Sequence, residues 1–366
     1  MYLEKISIFN YRNISELSLE LSSGVNVFVG KNGVGKTNFL DAVYYLSFCK
    51  SFSSFSDALN IRFKQDFFLI DALYSRNQNE EHIVCSLKRN QKKVFKRNKN
   101  IYKKLADHIG LIPLVLISPA DSSLITDGSE ERRKFIDGVI SQFDRIYLTN
   151  LLKYNRILLQ RNTLLRDFAD KRNFNAEMLD IYNVQLANLG DEIFKKRKLF
   201  IEELIPVFQE YYNLISGNSE KVSLEYTSKL SEKPLYELLI ENIEKDRILQ
   251  YTSKGIHRDE LSFKHSGYSL RKVGSQGQQK SFLLALKLAQ YSYIYKTTNI
   301  KPILLLDDIF DKLDSERVKN LIETVGLNNS EKNNLLFGQI FITDTNENRI
   351  KEILESNNFK YKIINF

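Results

Sequence analysis

The glycine-rich segment at residues 30–37, GKNGVGKT, constrains the fold of this 366-residue chain more than any other feature. It fits the phosphate-binding pattern G-x-x-x-x-G-K-[ST]. The apolar run at residues 25–29 predicts a buried strand before it, and residues 37–48 place apolar side chains at helical spacing after it. A strand, a glycine loop and a helix in this order predict an α/β domain that binds a phosphate group.

The residue types of this P-loop match the chemistry of a nucleotide site. Its glycines allow the backbone to turn tightly and to direct N–H groups at phosphate oxygens. Lys36 is long enough to reach the terminal phosphates, and we expect its side chain to be solvated when no ligand is bound. The hydroxyl of Thr37 is a Mg²⁺ ligand in this motif. The predicted nucleotide-binding residues are Gly30, Lys31, Asn32, Gly33, Val34, Gly35, Lys36 and Thr37.

Composition and charge limit the class of protein. Hydrophobic residues make up 43% of the chain and charged residues 27%, which is typical of a globular protein. No apolar run approaches the length of a membrane span, and the N-terminus lacks the pattern of a signal peptide. Cys49 and Cys85 form no CxxC pair, which suits a reducing cytoplasm. We therefore expect a cytoplasmic protein, and the short apolar runs predict that it has no membrane segment. The net charge of +8 favours polyanionic partners such as nucleic acid.

Two later segments predict groups that act on the same nucleotide. Residues 273–279 precede a strong helical pattern, where Ser275 can cap the helix and form a second anion site. Residues 303–306 are all apolar, which is typical of a parallel strand buried on both faces, and Asp307 and Asp308 follow at its carboxyl end. Asp307 suits Mg²⁺, and Asp308 suits a catalytic role in orienting water, alongside Lys36. A strand followed by an acidic turn that has no role in nucleotide binding would have the same sequence pattern.

The order of the elements predicts a head domain that is interrupted in sequence. We assign residues 1–140 to the first part of the head, 141–255 to a helical lobe and 256–366 to the second part of the head. Alternating residues at 2–9 and 14–21 predict antiparallel strands, and Arg12 between them either lies near the nucleotide or belongs to a solvated turn. A long amphipathic helix in the lobe is predicted to end near Pro206 and Gly217.

A basic segment at residues 88–104 holds nine Lys or Arg and no acid, with Phe95 and Tyr102 interleaved. Residues 96–100 predict the tip of a hairpin. Cations beside aromatic rings are typical of a nucleic-acid surface, and we expect Phe95 or Tyr102 to contact a base or sugar, although a solvated hairpin has the same composition. The second candidate for a DNA surface is the lobe near Arg156 and Arg161. His257 is interpreted as structural.

A P-loop near the N-terminus and an acidic strand end 271 residues later resemble the ABC-type ATPase heads of the SMC class. Within that class the chain is most similar to the RecF family, and the segments that carry the resemblance are residues 9–13, 30–38, 118–119, 132–137, 160–162, 257–259, 274–279 and 306–308. The resemblance implies an α/β head with a mixed sheet, an inserted helical lobe and no long coiled coil. It also adds Asn13 and Asn38 to the predicted nucleotide site.

The same resemblance implies partners. It implies an ATP-dependent homodimer in which Ser275, Gly277 and Gln278 cap the nucleotide of the other subunit. It further implies binding of single-stranded and double-stranded DNA, and cooperation with RecR and RecO in loading RecA at gaps. A protein that couples ATP hydrolysis to a protein partner without DNA is the alternative function.

Three positions depart from the wider ATPase pattern. Asp308 stands where most relatives carry a glutamate, Thr343 and Asp344 stand where a histidine is usual, and residues 118–121 contain no glutamine. We therefore expect slow, DNA-stimulated hydrolysis at most, with ATP acting as a timed clamp for the dimer.

Overall fold

The computed structural model describes residues 1–366 except 55, 77–78, 218–219, 310–336 and 357–359. The described residues form two compact units. Unit 1 comprises Met1–Ser122, Glu210–Ser219 and Ser275–Phe366, and unit 2 comprises Ser123–Gln209 and Glu220–Gly274. The order of head, lobe and head matches the predicted division, but unit 2 starts earlier and ends later than residues 141–255.

Unit 1 contains a six-stranded antiparallel sheet in the order β2-β1-β4-β5-β6-β7. The predicted antiparallel pair at its start is confirmed. In β1 and β4, alternate residues are buried, which is the pattern of a sheet with one face on a core. The strands are β1 (Tyr2–Tyr11), β2 (Ile14–Glu20), β4 (Phe67–Arg76), β5 (Asn79–Lys88), β6 (Val94–Arg97) and β7 (Asn100–Ile101).

A five-stranded parallel sheet forms the second layer of unit 1, in the order β14-β3-β13-β12-β8. Every residue of β3, β8, β12 and β13 is buried, as the apolar run at residues 303–306 predicted. The strands are β3 (Val25–Val29), β8 (Leu114–Ile117), β12 (Ile303–Asp307), β13 (Ile340–Asp344) and β14 (Tyr361–Asn365). This order places the carboxyl ends of β3, β13 and β12 side by side.

One hydrophobic core joins the two sheets through helix α1 (Lys36–Phe48), which supplies Phe39, Leu40 and Val43 to it. Phe28 of β3 packs against Phe39 with ring centroids 4.6 Å apart. Unit 1 also contains α9 (Gln276–Thr298) and α10 (Glu347–Ser356). The P-loop, between β3 and α1, is therefore anchored at both ends by the core.

Unit 2 is mainly helical and also holds a three-stranded sheet, β9 (Val222–Thr227), β10 (Glu260–His265) and β11 (Tyr268–Ser269). Its helices are α2 (Ser123–Thr126), α3 (Ser129–Ile140), α4 (Arg145–Lys171), α5 (Ala176–Ser216, whose last residues lie in unit 1), α6 (Leu235–Glu241), α7 (Ile243–Leu249) and α8 (Leu270–Val273). The long helix ends just before Gly217, as predicted, but Pro206 lies inside it. Proline has no N–H, so one carbonyl of the preceding helical turn lacks its usual donor. Because Pro206 is exposed, water can donate to that carbonyl. Across the described ranges, no helix has the length and apolarity needed to cross a membrane.

Candidate functional site

The P-loop adopts a conformation that requires glycine at two positions. Gly33 and Gly35 have φ angles of 84° and 119°, in the left-handed region. A Cβ on Gly35 would also lie only 3.0 Å from Oδ1 of Asn13. Gly35 is the N-cap of α1, and no side chain caps this helix start. The loop therefore presents backbone N–H groups at a helix N-terminus, which is an arrangement that favours anions.

Lys36 is buried, so the prediction of a solvated lysine is wrong. The residue is 4% exposed, and its Nζ donates to the carbonyls of Gly30 at 2.8 Å and Lys31 at 3.1 Å. A buried ammonium needs acceptors, and the turning backbone of the loop supplies them. The positive charge is thus held within the P-loop itself.

Asp307, at the end of β12, accepts two hydroxyl hydrogen bonds at the same oxygen. Thr37 donates to Oδ1 at 3.0 Å, and Thr343 of β13 donates to it at 2.8 Å. Burial raises the pKa of Asp307 above its usual value, and the two hydroxyl hydrogen bonds oppose that rise. Asp308 follows in the left-handed region with φ of 47°, and its backbone N–H donates to Thr343 at 3.0 Å.

Asn13 and Asn38 hold the P-loop from the side. Nδ2 of Asn13 donates to the carbonyl of Gly33 at 2.9 Å, and Nδ2 of Asn38 donates to Oδ1 of Asn13 at 2.7 Å. Each amide thus fixes the next, because an asparagine side chain can accept and donate at once. The turn between β1 and β2 therefore supports the glycine loop directly.

Arg12 is tied to Asp41, so it does not belong to a solvated turn. Its Nε lies 2.9 Å from Oδ2 of Asp41, whose side chain is fully buried in α1. Asp41 also accepts from Tyr11 at 2.7 Å and from Ser51 at 3.0 Å. The sequence analysis missed Asp41, although an acidic residue on the apolar face of a helix, four residues after Thr37, is a signal of a buried polar contact.

The segment at residues 274–279 forms an exposed helix start. Ser275 caps α9 by accepting from the backbone N–H of Gln278 at 3.2 Å, and Oε1 of Gln278 accepts from the backbone N–H of Ser275 at 2.8 Å. This reciprocal pair is a capping box. Gly277 lies in the same first turn. Within the described part of one chain, the hydrogen bonds of Ser275 join it to neither Lys36 nor Asp307.

Two further acids lie near the ends of the parallel strands, and each has a cationic partner. Asp344 at the end of β13 accepts from the backbone N–H of Asn346 at 2.7 Å and pairs with Arg349 at 2.5 Å. Asp121, three residues after Ser118, pairs with Lys287 of α9 at 2.6 Å. Both acids occupy positions where the sequence departs from the wider ATPase pattern.

The basic hairpin is present, but its aromatic residues do not face outward. The tip lies at Asn98 and Lys99, both with positive φ, between β6 and β7. Phe95 is 1% exposed and packs on Tyr45, and Tyr102 is half-buried against His108. The expectation of a contact with a base or sugar is therefore wrong for Phe95, which belongs to the core of unit 1, whereas Tyr102 packs against that core and keeps part of its surface exposed.

Two of the hairpin cations also serve the fold. Arg97 makes two hydrogen bonds to Glu81, at 2.8 and 2.5 Å. Lys93 pairs with Asp57 at 2.7 Å and donates to the carbonyl of Cys49 at 2.6 Å. The cations exposed to solvent are Lys88, Arg89, Lys92, Lys99, Lys103 and Lys104.

Arg161 is buried in unit 2, and His257, which the sequence also singled out, is partly buried there. Arg161 is fully buried and bonds Asp246 at 2.8 Å, so it is excluded as a DNA contact. His257 accepts at Nδ1 from Tyr154 at 3.0 Å and donates from Nε2 to the carbonyl of Thr252 at 2.9 Å. Burial lowers the pKa of His257 to about 4, so it is neutral at pH 7, and the structural interpretation is confirmed.

A parallel sheet that presents a P-loop and an acidic strand end, in a unit interrupted in sequence by a helical one, defines an ABC-type ATPase head of the SMC class. Comparison with known proteins agrees. The model of the RecF/RecN/SMC N terminal domain family matches residues 2–362. The chain is 53% identical to the DNA replication and repair protein RecF of Flavobacterium johnsoniae over 100% of both chains, and 48% identical to that of Parabacteroides distasonis over 99% of this chain and 96% of that one. The chain belongs to the RecF family of DNA replication and repair proteins.

Solved structures give the same result. The recombination mediator protein RecF-ATP of the RecFOR pathway superimposes with a TM-score of 0.86 at 32% identity, covering 94% of this chain and 92% of that one. The SmcHead bound to the C-winged helix domain of ScpA has a TM-score of 0.57 at 14% identity, over 100% of this chain and 94% of that one, and shows a shared fold.

Proposed function

We propose that the chain binds ATP together with Mg²⁺ at the P-loop. The backbone of residues 30–35 and the ammonium of Lys36 would hold the phosphates, and Thr37 with Asp307 would hold the metal. The residues present fit these groups: two glycines adopt left-handed φ angles, the lysine charge is retained in the loop, and a hydroxyl lies beside a carboxylate. Bound Mg²⁺ would supply positive charge that neutralises the phosphate oxygens.

Arg12, Asn13 and Asn38 complete the proposed nucleotide site. Their contacts run in series from Asp41 to the P-loop, since Arg12 Nη1 donates to Asn38 at 3.3 Å and Asn38 donates to Asn13. Such a chain fixes the loop before the ligand arrives, which lowers the cost of ordering it on binding. Asp308 would orient water for slow hydrolysis, because its carboxylate reaches one methylene less far than a glutamate.

Ser275, Gly277 and Gln278 would cap the nucleotide of a second copy. The support is the exposed position of this helix start and its N–H groups, which favour a phosphate. An ATP-dependent homodimer follows, with two nucleotides held between two chains.

The dimer would bind single-stranded and double-stranded DNA and act with RecO and RecR to load RecA at gaps. Membership of the RecF family and the net charge of +8 support this proposal. Its exposed hairpin cations are candidates for duplex contacts. Among the residues that the structure describes, no comparable feature favours the alternative, coupling to a protein without DNA.

The hydrogen bond from Thr37 to Asp307 carries the nucleotide assignment, because it unites two motifs 270 positions apart at one point. Fluorescence anisotropy with labelled single-stranded and duplex DNA, with and without ATP and Mg²⁺, tests the whole proposal. ATP-enhanced DNA binding is expected. Absence of DNA binding under every condition would favour the protein-coupled alternative.

A further inference from the structure

Three phenylalanines are exposed at one end of the six-stranded sheet. Phe9, Phe63 and Phe67 are 39%, 81% and 42% exposed, and we call them the aromatic platform. The rings of Phe9 and Phe67 stack with centroids 5.8 Å apart and an interplanar angle of 29°. Both point away from the core, because their neighbours Ile8 and Phe68 are buried. Exposed aromatic rings that gather at one place mark an interaction site rather than a random surface.

Phe63 lies in a turn that backbone hydrogen bonds connect to the strand carrying Phe9. It occupies the tip of a turn that the backbone N–H of Gln65 closes by donating to the carbonyl of Arg62 at 3.0 Å. The N–H of Arg62 donates in turn to the carbonyl of Asn10 at 2.9 Å, next to Phe9. The turn leads directly into Phe67 at the start of β4.

Four cations surround the aromatic platform. Lys88 lies opposite Phe67 in the ladder of β4 and β5, and Arg89 donates from Nε to the carbonyl of Gln65 at 2.8 Å. None of the four pairs with an acidic side chain among the residues that the structure describes. The nearby acids are the exposed Asp66, and Glu16 opposite Phe9 on β2. The four cations are Arg62, Lys64, Lys88 and Arg89.

The aromatic platform is connected to the P-loop by hydrogen bonds. Arg12 donates from its backbone N–H to the carbonyl of Asn60 at 2.8 Å and from Nε to the Asn60 side chain at 3.2 Å. Asn60 lies two residues before Arg62. On its other side, Arg12 contacts Asn38, which contacts the Asn13 that holds Gly33.

We propose that the aromatic platform binds single-stranded nucleic acid, with bases stacked on Phe63 and Phe67 and the backbone phosphates along the four cations. This inference rests on the proposed DNA binding and assigns the single-stranded substrate to a surface that shares only Lys88 and Arg89 with the exposed hairpin cations. Base stacking suits this surface because every base presents a π face, so the site needs no hydrogen-bond readout. A duplex keeps its bases stacked on each other and gains only from the cations.

The rings also distinguish a nucleic acid from an acidic peptide. Both would be attracted by the cations, but only a strand with bases gains from aromatic faces in proportion to the bases that it carries. The test therefore compares a fluorescein-labelled thymidine oligonucleotide with an abasic strand of the same length, using anisotropy at a fixed salt concentration on the full chain.

We expect the wild type to bind the thymidine strand about tenfold more tightly than the abasic strand, and Phe63→Ala with Phe67→Ala to remove that preference. Duplex affinity should change by less than about twofold. Phe63→Ala alone should reduce the preference without disturbing the sheet, because Phe63 lies in a turn. Phe63→Trp should keep the preference, because it keeps an aromatic ring at this position. Ile248→Ala is the matched control, because Ile248 is equally exposed, at 81%, but lies in unit 2.

Two results would overturn the inference separately from the proposed function. If the wild type binds DNA and the double variant keeps its preference for bases, the aromatic platform is not the site while DNA binding stands. If wild type and variant bind both strands equally, the cations act alone and an acidic partner becomes the better assignment. A wild type that binds no DNA overturns both the inference and the proposed function.

Discussion

The hydroxyl of Thr37 donates a hydrogen bond to Oδ1 of Asp307 over 3.0 Å, although the two residues are 270 positions apart. The relation follows from the order of the parallel sheet, in which β13 lies between β3 and β12. The three strands end together, so the first turn of α1 meets the carboxylate of β12, and Thr343 of β13 bonds the same oxygen. Ligands of open α/β sheets bind at this edge.

Lys36→Ala should weaken ATP binding about a hundredfold or more, because it removes the charged donor to the phosphates. Its loss also leaves the carbonyls of Gly30 and Lys31 to water, which should cost about 1 kcal/mol of unfolding free energy or less. Titration with a fluorescent ATP analogue measures the first effect, and chemical denaturation measures the second. Lys103→Ala is the control for an exposed lysine. Wild-type affinity in a folded Lys36→Ala variant would remove the P-loop assignment.

Asp307→Asn should stabilise the ligand-free protein at neutral pH while abolishing its response to ATP and Mg²⁺. Burial raises the pKa of Asp307, so the folded state holds its proton more tightly than the unfolded state, and stability falls as pH rises through that raised pKa. The asparagine side chain has no charge to bury, so it avoids this cost, and its amide oxygen can still accept the hydrogen bonds from Thr37 and Thr343. We expect a rise in Tm of about 1–3 °C at pH 7.

The pH dependence of that difference provides the check. Below the usual pKa of an aspartate, about 4, wild type and variant should have the same stability. A variant that is less stable than wild type at pH 7 would show that the ionised carboxylate is needed for folding rather than for the ligand.

Ser275→Asp should block the ATP-induced dimer while leaving ATP binding to one chain nearly intact. Aspartate is as good an N-cap as serine, so α9 keeps its start, but a carboxylate then faces the phosphates of the partner's nucleotide. Ser275→Arg tests bulk, and Ser275→Asn is the matched control because it caps without charge. Light scattering distinguishes them, and a Ser275→Asp protein that still dimerises would rule out capping in trans.

Charge reversal at Lys99, Lys103 and Lys104 together should weaken duplex binding about tenfold or more at moderate salt. All three are exposed, whereas Arg97 is paired with Glu81, so changing Arg97 would disturb the fold. The slope of log K against log salt should fall by about 0.9 for each phosphate that the variant no longer neutralises. ATP binding should not change. An unchanged salt slope would assign the hairpin charge to solubility.

His257 should make unit 2 sensitive to acid. Its pKa is lowered to about 4 in the folded state, so the unfolded state binds more protons between pH 4 and 6.5, and stability is lost as pH falls through that range. His257→Gln can keep both hydrogen bonds without titrating, and its unfolding free energy should fall less steeply over the same range. Equal slopes for the two proteins would contradict this assignment.

The motifs predicted the strands and loops of the site because each motif is local. The glycine spacing of the P-loop, the apolar run before Asp307 and the serine before α9 all report short-range geometry, and the structure has each element in place. The sequence also assigned Thr37 and Asp307 to Mg²⁺, and the structure brings them into contact because parallel strands end at one edge of a sheet.

Long-range polar contacts could not be predicted in the same way. Asp41 bonds partners from two separate segments, residues 11–12 and 51–52, and the ammonium of Lys36 donates to carbonyls of its own loop. Composition also misassigned Phe95, because an aromatic residue in a basic hairpin has the same pattern whether it faces solvent or the core. Which face a ring occupies depends on strand register, which the sequence of residues 88–104 does not fix.

The mass of the wild-type protein in solution, measured by light scattering with and without ATP and Mg²⁺, tests the central claim most directly. We predict the mass of one chain without nucleotide and of two chains at saturating ATP, with the shift absent in Lys36→Ala. A mass that stays at one chain with ATP demonstrably bound would contradict an ATP-clamped dimer.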